Sequence, residues 1–348
     1  RETTNYGGDN FDADPELSLT ASISWELDLW GNLRWARDHS TAEFLASVEN
    51  CRAVKMGLVA QVAQSYFELM ALDNELAIVR RTLEARREGV RLAEIRFKGG
   101  LTSEIVFQQA KLAKTTTMVP DLERRISLKE SEIALLTGDF PYAVNRNVLP
   151  EEIQLPDALP LGLPSTLLER RPDIRKAERE LMAAHAEVGL AYTNMFPRLA
   201  LTATLGAESE TLRDLLKSPY SYLAGNLLSP LFAMGKNRAA LKAKRTAYEG
   251  AVAEYEKTVL TAFKETHDAI INFNKIKDIY ESRRQLAEAS RTAVELAQLQ
   301  YINGVIGYLD LLDAQRNYFD AQVSLSNAVC DKQLMIINLY KALGGGWK

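Results

Sequence analysis

Cysteine and histidine are nearly absent, and neither is arranged for chemistry. The 348-residue chain has two cysteines and three histidines. Cys51 and Cys330 stand alone without CxxC spacing, and His39, His185 and His267 have no second ligand in register. Neither a metal centre nor a redox pair is expected, and no cofactor is called for. An excess of one charge is missing too. Lys and Arg number 42 against 46 Asp and Glu, a net charge of −4, with no cluster of like charge. A nucleic-acid partner is therefore not expected, because a phosphate backbone needs a basic surface. No run approaches the roughly 18 apolar residues of a spanning helix. The chain opens Arg1-Glu2-Thr3-Thr4, showing neither initiator Met nor signal peptide. A membrane, if it is met, is met by another route, or the targeting segment lies outside this sequence. The motifs of enzymes are missing as well: no nucleophile elbow, Gly-rich phosphate loop, or paired His and carboxylate is found. The protein is not expected to be an enzyme. What remains is an ordinary globular composition, 47% hydrophobic and 25% charged, long enough for two domains.

The main organising feature is an internal repeat. Ile95-Arg-Phe-Lys-Gly-Gly-Leu-Thr-Ser-Glu-Ile-Val-Phe-Gln-Gln-Ala110 lies 204 positions before Leu299-Gln-Tyr-Ile-Asn-Gly-Val-Ile-Gly-Tyr-Leu-Asp-Leu-Leu-Asp-Ala314, pairing Gly100 with Gly304 and Ala110 with Ala314. The same ungapped offset pairs Gly31 with Gly235, Arg34 with Arg238, Arg80 with Arg284, Val90 with Val294 and Leu135 with Leu339. Each copy carries a junction glycine, a long segment, a glycine turn and another long segment. The copies span residues 1–140 and 171–348, joined by a connector over 141–170 that Pro141, Pro150, Pro156, Pro160 and Pro164 make irregular.

The long segments are expected to be helices. From about Asn32 to Phe97, and again from about Lys236 to Tyr301, there is no proline, and Ala, Leu, Glu, Arg and Gln dominate. Helices of this length reach ~100 Å at 1.5 Å per residue, so they need partners all along. Ala240, Ala243, Ala247 and Ala251 form one stripe, and Tyr248, Val252, Tyr255, Val259 and Phe263 form another beside it, enough for two neighbours. Pro120 is expected to bend or break the helix after Gly100. A shorter helix is expected from about Pro172 to Asn194.

Before the first long helix the period changes. Leu17, Leu19, Ala21, Ile23, Trp25, Leu27 and Leu29 alternate with Ser18, Thr20, Ser22, Ser24, Glu26 and Asp28. Strict alternation over such a length suits a membrane-spanning strand, which needs about 9 to 11 residues, one face in lipid and the other in a wet lumen. Leu199 to Leu205 repeats the pattern, and Tyr220 to Phe232 is a third, less regular candidate ending beyond Pro230.

Several segments then resemble one family: Ile23-Ser-Trp-Glu-Leu-Asp-Leu-Trp-Gly31, Leu163-Pro-Ser-Thr-Leu-Leu-Glu-Arg-Arg-Pro-Asp-Ile174, Phe196-Pro-Arg-Leu199, Leu311-Leu-Asp-Ala-Gln315 and Tyr340-Lys-Ala-Leu-Gly-Gly-Gly-Trp347. They resemble the outer-membrane factors, the TolC-like channels of Gram-negative efflux systems, most closely the branch paired with resistance-nodulation-division pumps. The resemblance implies a mainly α fold with a small β part: long helical hairpins forming an α-barrel through the periplasm, and strands forming a membrane β-barrel. It implies a homotrimer in which each protomer gives four strands to a twelve-stranded barrel in the outer-membrane lipid bilayer. A periplasmic adaptor would dock at the helix turns, here Gly100, Leu101, Gly304 and Val305, and an inner-membrane pump would supply the solute. The channel would be a passive exit duct. Substrate choice would rest mainly with the pump, leaving drugs, metals and siderophores open. With the 204 offset, Leu199 to Leu205 map to positions −5 to 1, so the sequence is expected to begin in the loop between the first two strands. An acylated N-terminal cysteine, carried by many relatives, would lie before it.

The resemblance also assigns roles to residues. Asp310 and Asp313, three apart on one helix face, match acidic positions that constrict the tunnel's inner end, and three copies would make two carboxylate rings attracting cations. Tyr301 matches a position that helps hold the tip closed, although its usual partner positions are here Ile306 and Val106, which cannot form a polar latch. Trp30, Trp35, Phe196 and Phe232, near strand ends, are candidates for an aromatic girdle or for core packing. Gly31 and Gly235 mark strand-to-helix junctions in the two copies. The competing expectation is a soluble coiled-coil scaffold or adhesin-like protein, which accounts for the helices but not for the alternating strands.

Overall fold

A computed structural model describes residues 17–99, 105–146, 169–209, 213, 217, 219–229 and 233–345. Along the chain come β1 (Leu17–Leu27), α1 (Asn32–Lys98), α2 (Ile105–Thr137), α3 (Pro172–Thr193), β2 (Arg198–Ser209), β3 (Pro219–Leu228), α4 (Met234–Ile302) and α5 (Tyr308–Ala342). The repeat is evident in these bounds. Shifted by 204, α1 ends where α4 ends, and α2 falls within one residue of α5 at both ends. Gly100 and Leu101 lie outside the described residues, as do Phe232 and most of the connector. Contacts divide the chain into two compact units, residues 1–46 with 178–254, and residues 47–177 with 255–348.

In the second unit, α1 and α2 pack along a coiled-coil-like seam. Leu69, Leu72, Leu76 and Val79 of α1 are spaced three, four and three apart and meet Leu122, Ile126 and Ile133 of α2, with Val144 closing the cluster. This is the spacing that keeps an apolar stripe facing a helical partner. Leu69 and Val79 are fully buried, each contributing about 1.5–3 kcal/mol. A matching contact joins α4 to α5 through Ala269, Phe273, Leu339 and Ala342. Exposed faces carry i,i+3 and i,i+4 ion pairs such as Arg284 with Glu281 and Glu288, which support the helices modestly. Pro120 does not break its helix: α2 runs through it without interruption. Ring clash and a lost hydrogen bond cost about 3 kcal/mol. Leu122 and Ile126, on the same stretch, are buried against α1, and two such side chains offset that cost.

In the first unit, the strands form one antiparallel sheet in the order β1-β2-β3. Leu17 pairs with Ser209 and Leu27 with Leu199, while Leu199 pairs in turn with Leu227 and Ala207 with Pro219. β3 ends at Leu228, before the proline and phenylalanine expected at its end.

Candidate functional site

Three places carry the residues singled out above: the sheet, its junction with the helices, and the turn between α4 and α5. The register fixes the sheet's two faces, because side chains alternate along every strand. One face presents Leu19, Ile23, Trp25, Leu199, Leu201, Leu205, Leu223 and Leu227. Among the described residues it covers no core: Ile23 is 77% exposed and Leu223 76%. The other face presents Ser18, Thr20, Ser22, Ser24, Thr202, Thr204, Tyr220 and Tyr222. Its hydroxyls bond across strands, Ser24 to Thr202 and Thr20 to Tyr220, both at 3.2 Å. A contiguous exposed apolar face backed by a hydroxyl face is what a strand between lipid and a wet lumen requires.

At the junction, Gly31 adopts φ +79°, a conformation that side chains other than glycine's rarely take. Its turn brings the Asp28 carboxylate onto the amides of Leu33 (2.9 Å) and Arg34 (3.2 Å), capping α1. Gly235 behaves differently, as the second residue of α4, without a positive φ. The two glycines therefore share a position in the repeat but not a backbone conformation. Both helix starts are tied to the end of α3: the Asn32 amide donates to Thr193 Oγ1 (2.9 Å), and the Asn237 amide donates to the Asn194 carbonyl (3.1 Å). Trp30 stacks on Phe196 with ring centres 4.8 Å apart, and its indole N–H donates to the Pro197 carbonyl (2.9 Å). Trp35, one turn into α1, lies over Gly189 of α3, where a Cβ would overlap the indole ring. It also meets the edge of His185, which contacts Tyr248 of α4. His39 reaches the Ala183 carbonyl and Glu43. These histidines pack helices, and among the described residues no group of three His, Cys, Asp or Glu is placed to hold a metal.

The turn after α4 closes with two backbone bonds, Val305 N–H to Gln300 O (2.8 Å) and Gly304 N–H to Tyr301 O (3.1 Å), around Gly304 at φ +72°. This is the Schellman arrangement, which glycine permits. Tyr301 then meets Tyr308 across the turn with ring centres 5.6 Å apart. Ile306 joins the same small core with Ala297, Tyr308 and Leu311. Outside it, Leu299, Ile302, Val305 and Leu309 are exposed. The Asp310 carboxylate accepts from the Gly307 amide (3.1 Å), capping α5. Gly307 has no side chain to return the bond. Asp313 pairs with Arg316 at 2.6 Å. A shallow groove of about 460 Å³ lies between Ala289, Ser290 and Ala293 of α4 and Asp310, Asp313 and Asn317 of α5. Both carboxylates thus face a groove walled by small residues. Sequence reasoning missed Arg316 as a partner of Asp313, although the three-residue spacing was there to find it.

Long paired helices, joined through capped junctions to a sheet with one lipid-suited face, define an outer-membrane channel architecture. The family model for outer membrane efflux proteins matches residues 3–137 and 163–345. The chain is 34% identical over 331 residues to outer membrane protein OprJ of Pseudomonas aeruginosa, covering 93% of this chain and 68% of that one. It is 34% identical over 340 residues to the toluene efflux pump outer membrane protein TtgI of Pseudomonas putida, covering 96% and 72%. The solved outer-membrane channel OprN superposes with a TM-score of 0.87 at 28% identity, covering 96% of this chain and 82% of that one. The chain belongs to the outer membrane efflux protein family. These relatives are outer-membrane channel components of efflux systems rather than enzymes.

Proposed function

We propose that this chain is the outer-membrane channel subunit of a tripartite efflux system, a passive duct through which drugs, metals or other small solutes leave a Gram-negative cell. It acts as a homotrimer, takes solute from an inner-membrane pump through a periplasmic adaptor, and performs no covalent chemistry. The observation that carries this proposal is the sheet: among the described residues its apolar face covers no core, while its opposite face is lined with hydroxyls. A coiled-coil scaffold has no use for such a face, and in water it would be an aggregation hazard.

In this duct, Asp310 and Asp313 form the constriction, with Tyr301 packed behind them. Gly100, Leu101, Gly304 and Val305 mark the tips where the adaptor docks, and the exposed Leu299, Ile302 and Leu309 extend that surface on the second tip. Gly31 turns strand into helix while Gly235 marks the start of α4, and Trp30, Trp35 and Phe196 stand near the membrane interface. Arg316, 2.6 Å from Asp313, offsets part of the negative charge at the constriction.

The test is single-channel recording of the full-length protein in planar bilayers. Replacing Asp310 and Asp313 together by Ala is expected to raise conductance at low voltage and weaken block by multivalent cations, while Arg316→Ala is expected to strengthen the block. A full-length trimer that conducts nothing rules out the duct. Conductance with unaltered block in both variants means that the carboxylates do not face the passage.

A further inference from the structure

The hydroxyl face of the sheet contains two tyrosines in different postures, and the register explains why. Tyr220 and Tyr222 lie on the same strand and the same face, about 7 Å apart along it. Each heads a row of residues directly opposed across the three strands. In the first row Tyr220 faces Gly206, which faces Thr20. In the second, Tyr222 faces Thr204, which faces Ser22.

The middle residue decides the posture. At 206 there is no side chain, and the Tyr220 ring occupies the space, so that a Cβ added there would overlap its ring carbons. Lying across β2, the ring brings its hydroxyl to Thr20 on β1, at 3.2 Å. At 204 the threonine side chain fills the equivalent place. Tyr222 is accordingly 60% exposed, against 39% for Tyr220. An aromatic ring laid over a cross-strand glycine recovers packing that the glycine gives up, and here it also withdraws the ring from the space above the sheet.

We infer that the 20–206–220 row is a parked aromatic that keeps the strand-region passage wide, and that Tyr222 in the adjacent row is the ring that reaches into it and touches passing solute. The inference rests on the duct proposed above, in which the hydroxyl face lines the lumen. The first row lies toward the end of the sheet away from the helix junctions and the second near mid-strand, since β1 leads into α1 from Leu27 and β2 follows α3 from Arg198. Tyr220 therefore belongs to the outward part of the passage and Tyr222 to its middle. A planar or cationic organic solute is the class such a ring favours, through stacking and cation–π contact.

The experiment measures bore from the outer side alone, so that the tip does not mask it. Neutral polymers of graded size are added to the outer face of the full-length channel in a bilayer, and the largest polymer that still lowers conductance is recorded. Gly206→Thr copies the second row and suits a strand; it is expected to lift Tyr220 and shift the cut-off to smaller polymers. Adding Tyr220→Ser to Gly206→Thr is expected to restore the native cut-off, and Thr204→Gly is expected to shift it to larger polymers by letting Tyr222 lie down. A native channel whose cut-off is unmoved by both glycine exchanges overturns the inference, as does a double variant as narrow as Gly206→Thr alone. Failure of the native protein to conduct at all counts instead against the duct.

Discussion

Arg171 shows how much one residue can fasten. Only 5% exposed, its guanidinium donates to both oxygens of Asp173 (3.0 and 2.6 Å), to Glu265 (2.7 Å) and to the Ala342 carbonyl (3.2 Å). It thereby joins the start of α3, the middle of α4 and the end of α5, where a cation also suits the helix dipole. Thr266 adds a second donor to the same Ala342 carbonyl (3.1 Å). Gly344, at φ +89°, lets the chain pass close to the backbone of Arg170 and Arg171. Burial opposes the charge on Arg171, but the hydrogen bonds to Asp173 and Glu265 outweigh it and raise its pKa. For Asp173, burial likewise works against the charge, and the bonds from Arg171 and the Ile174 amide outweigh it and hold the carboxyl below the usual aspartate range. Arg171→Ala is expected to cost about 3 kcal/mol, the low end for a broken buried pair, because Glu265 keeps access to water. Arg171→Lys, which keeps the charge but loses the fork, is expected to fall between; urea unfolding midpoints of the full-length protein decide both. Asp173 has a lowered folded pKa, so its contribution is complete above the ordinary value of 3.8 and is lost as pH falls through the folded value. Native protein should therefore lose stability in that acid window more steeply than Arg171→Ala does, and equal slopes would show that the pair carries no linkage.

At the scale of the element, the two long helices were legible because nothing in their sequences argues against helix for some 65 residues. The constant offset then placed both hairpins. Local rules failed where a distant partner outweighs them. Pro120 marked an expected bend or break, and the break does not occur, because the packing of Leu122 and Ile126 on α1 outweighs it. The contact between Tyr301 and Tyr308 was invisible, because it exists only once the Gly304 turn folds the chain back. The posture of Tyr220 depends on strand register, which alternation alone does not supply. By contrast, the glycine at 304 announced its turn, and its Schellman bonds give the reason. Gly304→Ala forces an alanine into the left-handed region at roughly 1–2 kcal/mol. Hydrogen exchange should speed up at the Gly304 and Val305 amides while the core around Leu69 and Leu122 stays protected. Unchanged protection at the turn would mean that the bend is held from elsewhere.

For the whole molecule, the decisive property is that one sheet face has no partner among the described residues. Folding normally buries such a face. Here Leu19, Ile23, Trp25, Leu205, Leu223 and Leu227 remain exposed, and the opposite face holds the hydroxyls and their cross-strand bonds. A lipid bilayer is the solvent that makes this arrangement favourable, with the backbone bonds satisfied between strands. Adjacent residues on β1 then give opposite outcomes for the same substitution. Ile23→Arg places a cation toward lipid near mid-strand, costing about 2–4 kcal/mol per protomer at the bilayer midplane. Ser22→Arg places it toward the lumen, where water solvates it and the cost is small. The expected result is that Ile23→Arg sharply lowers the yield of membrane-inserted protein. Ser22→Arg should assemble normally and shift the reversal potential toward anion selectivity, because each protomer adds a positive charge to the passage. If both variants assemble equally well, the face bearing Ile23 does not meet lipid. If Ser22→Arg alone is blocked, the two faces have been assigned the wrong way round, and the hydroxyl rows of the sheet lie outside the lumen.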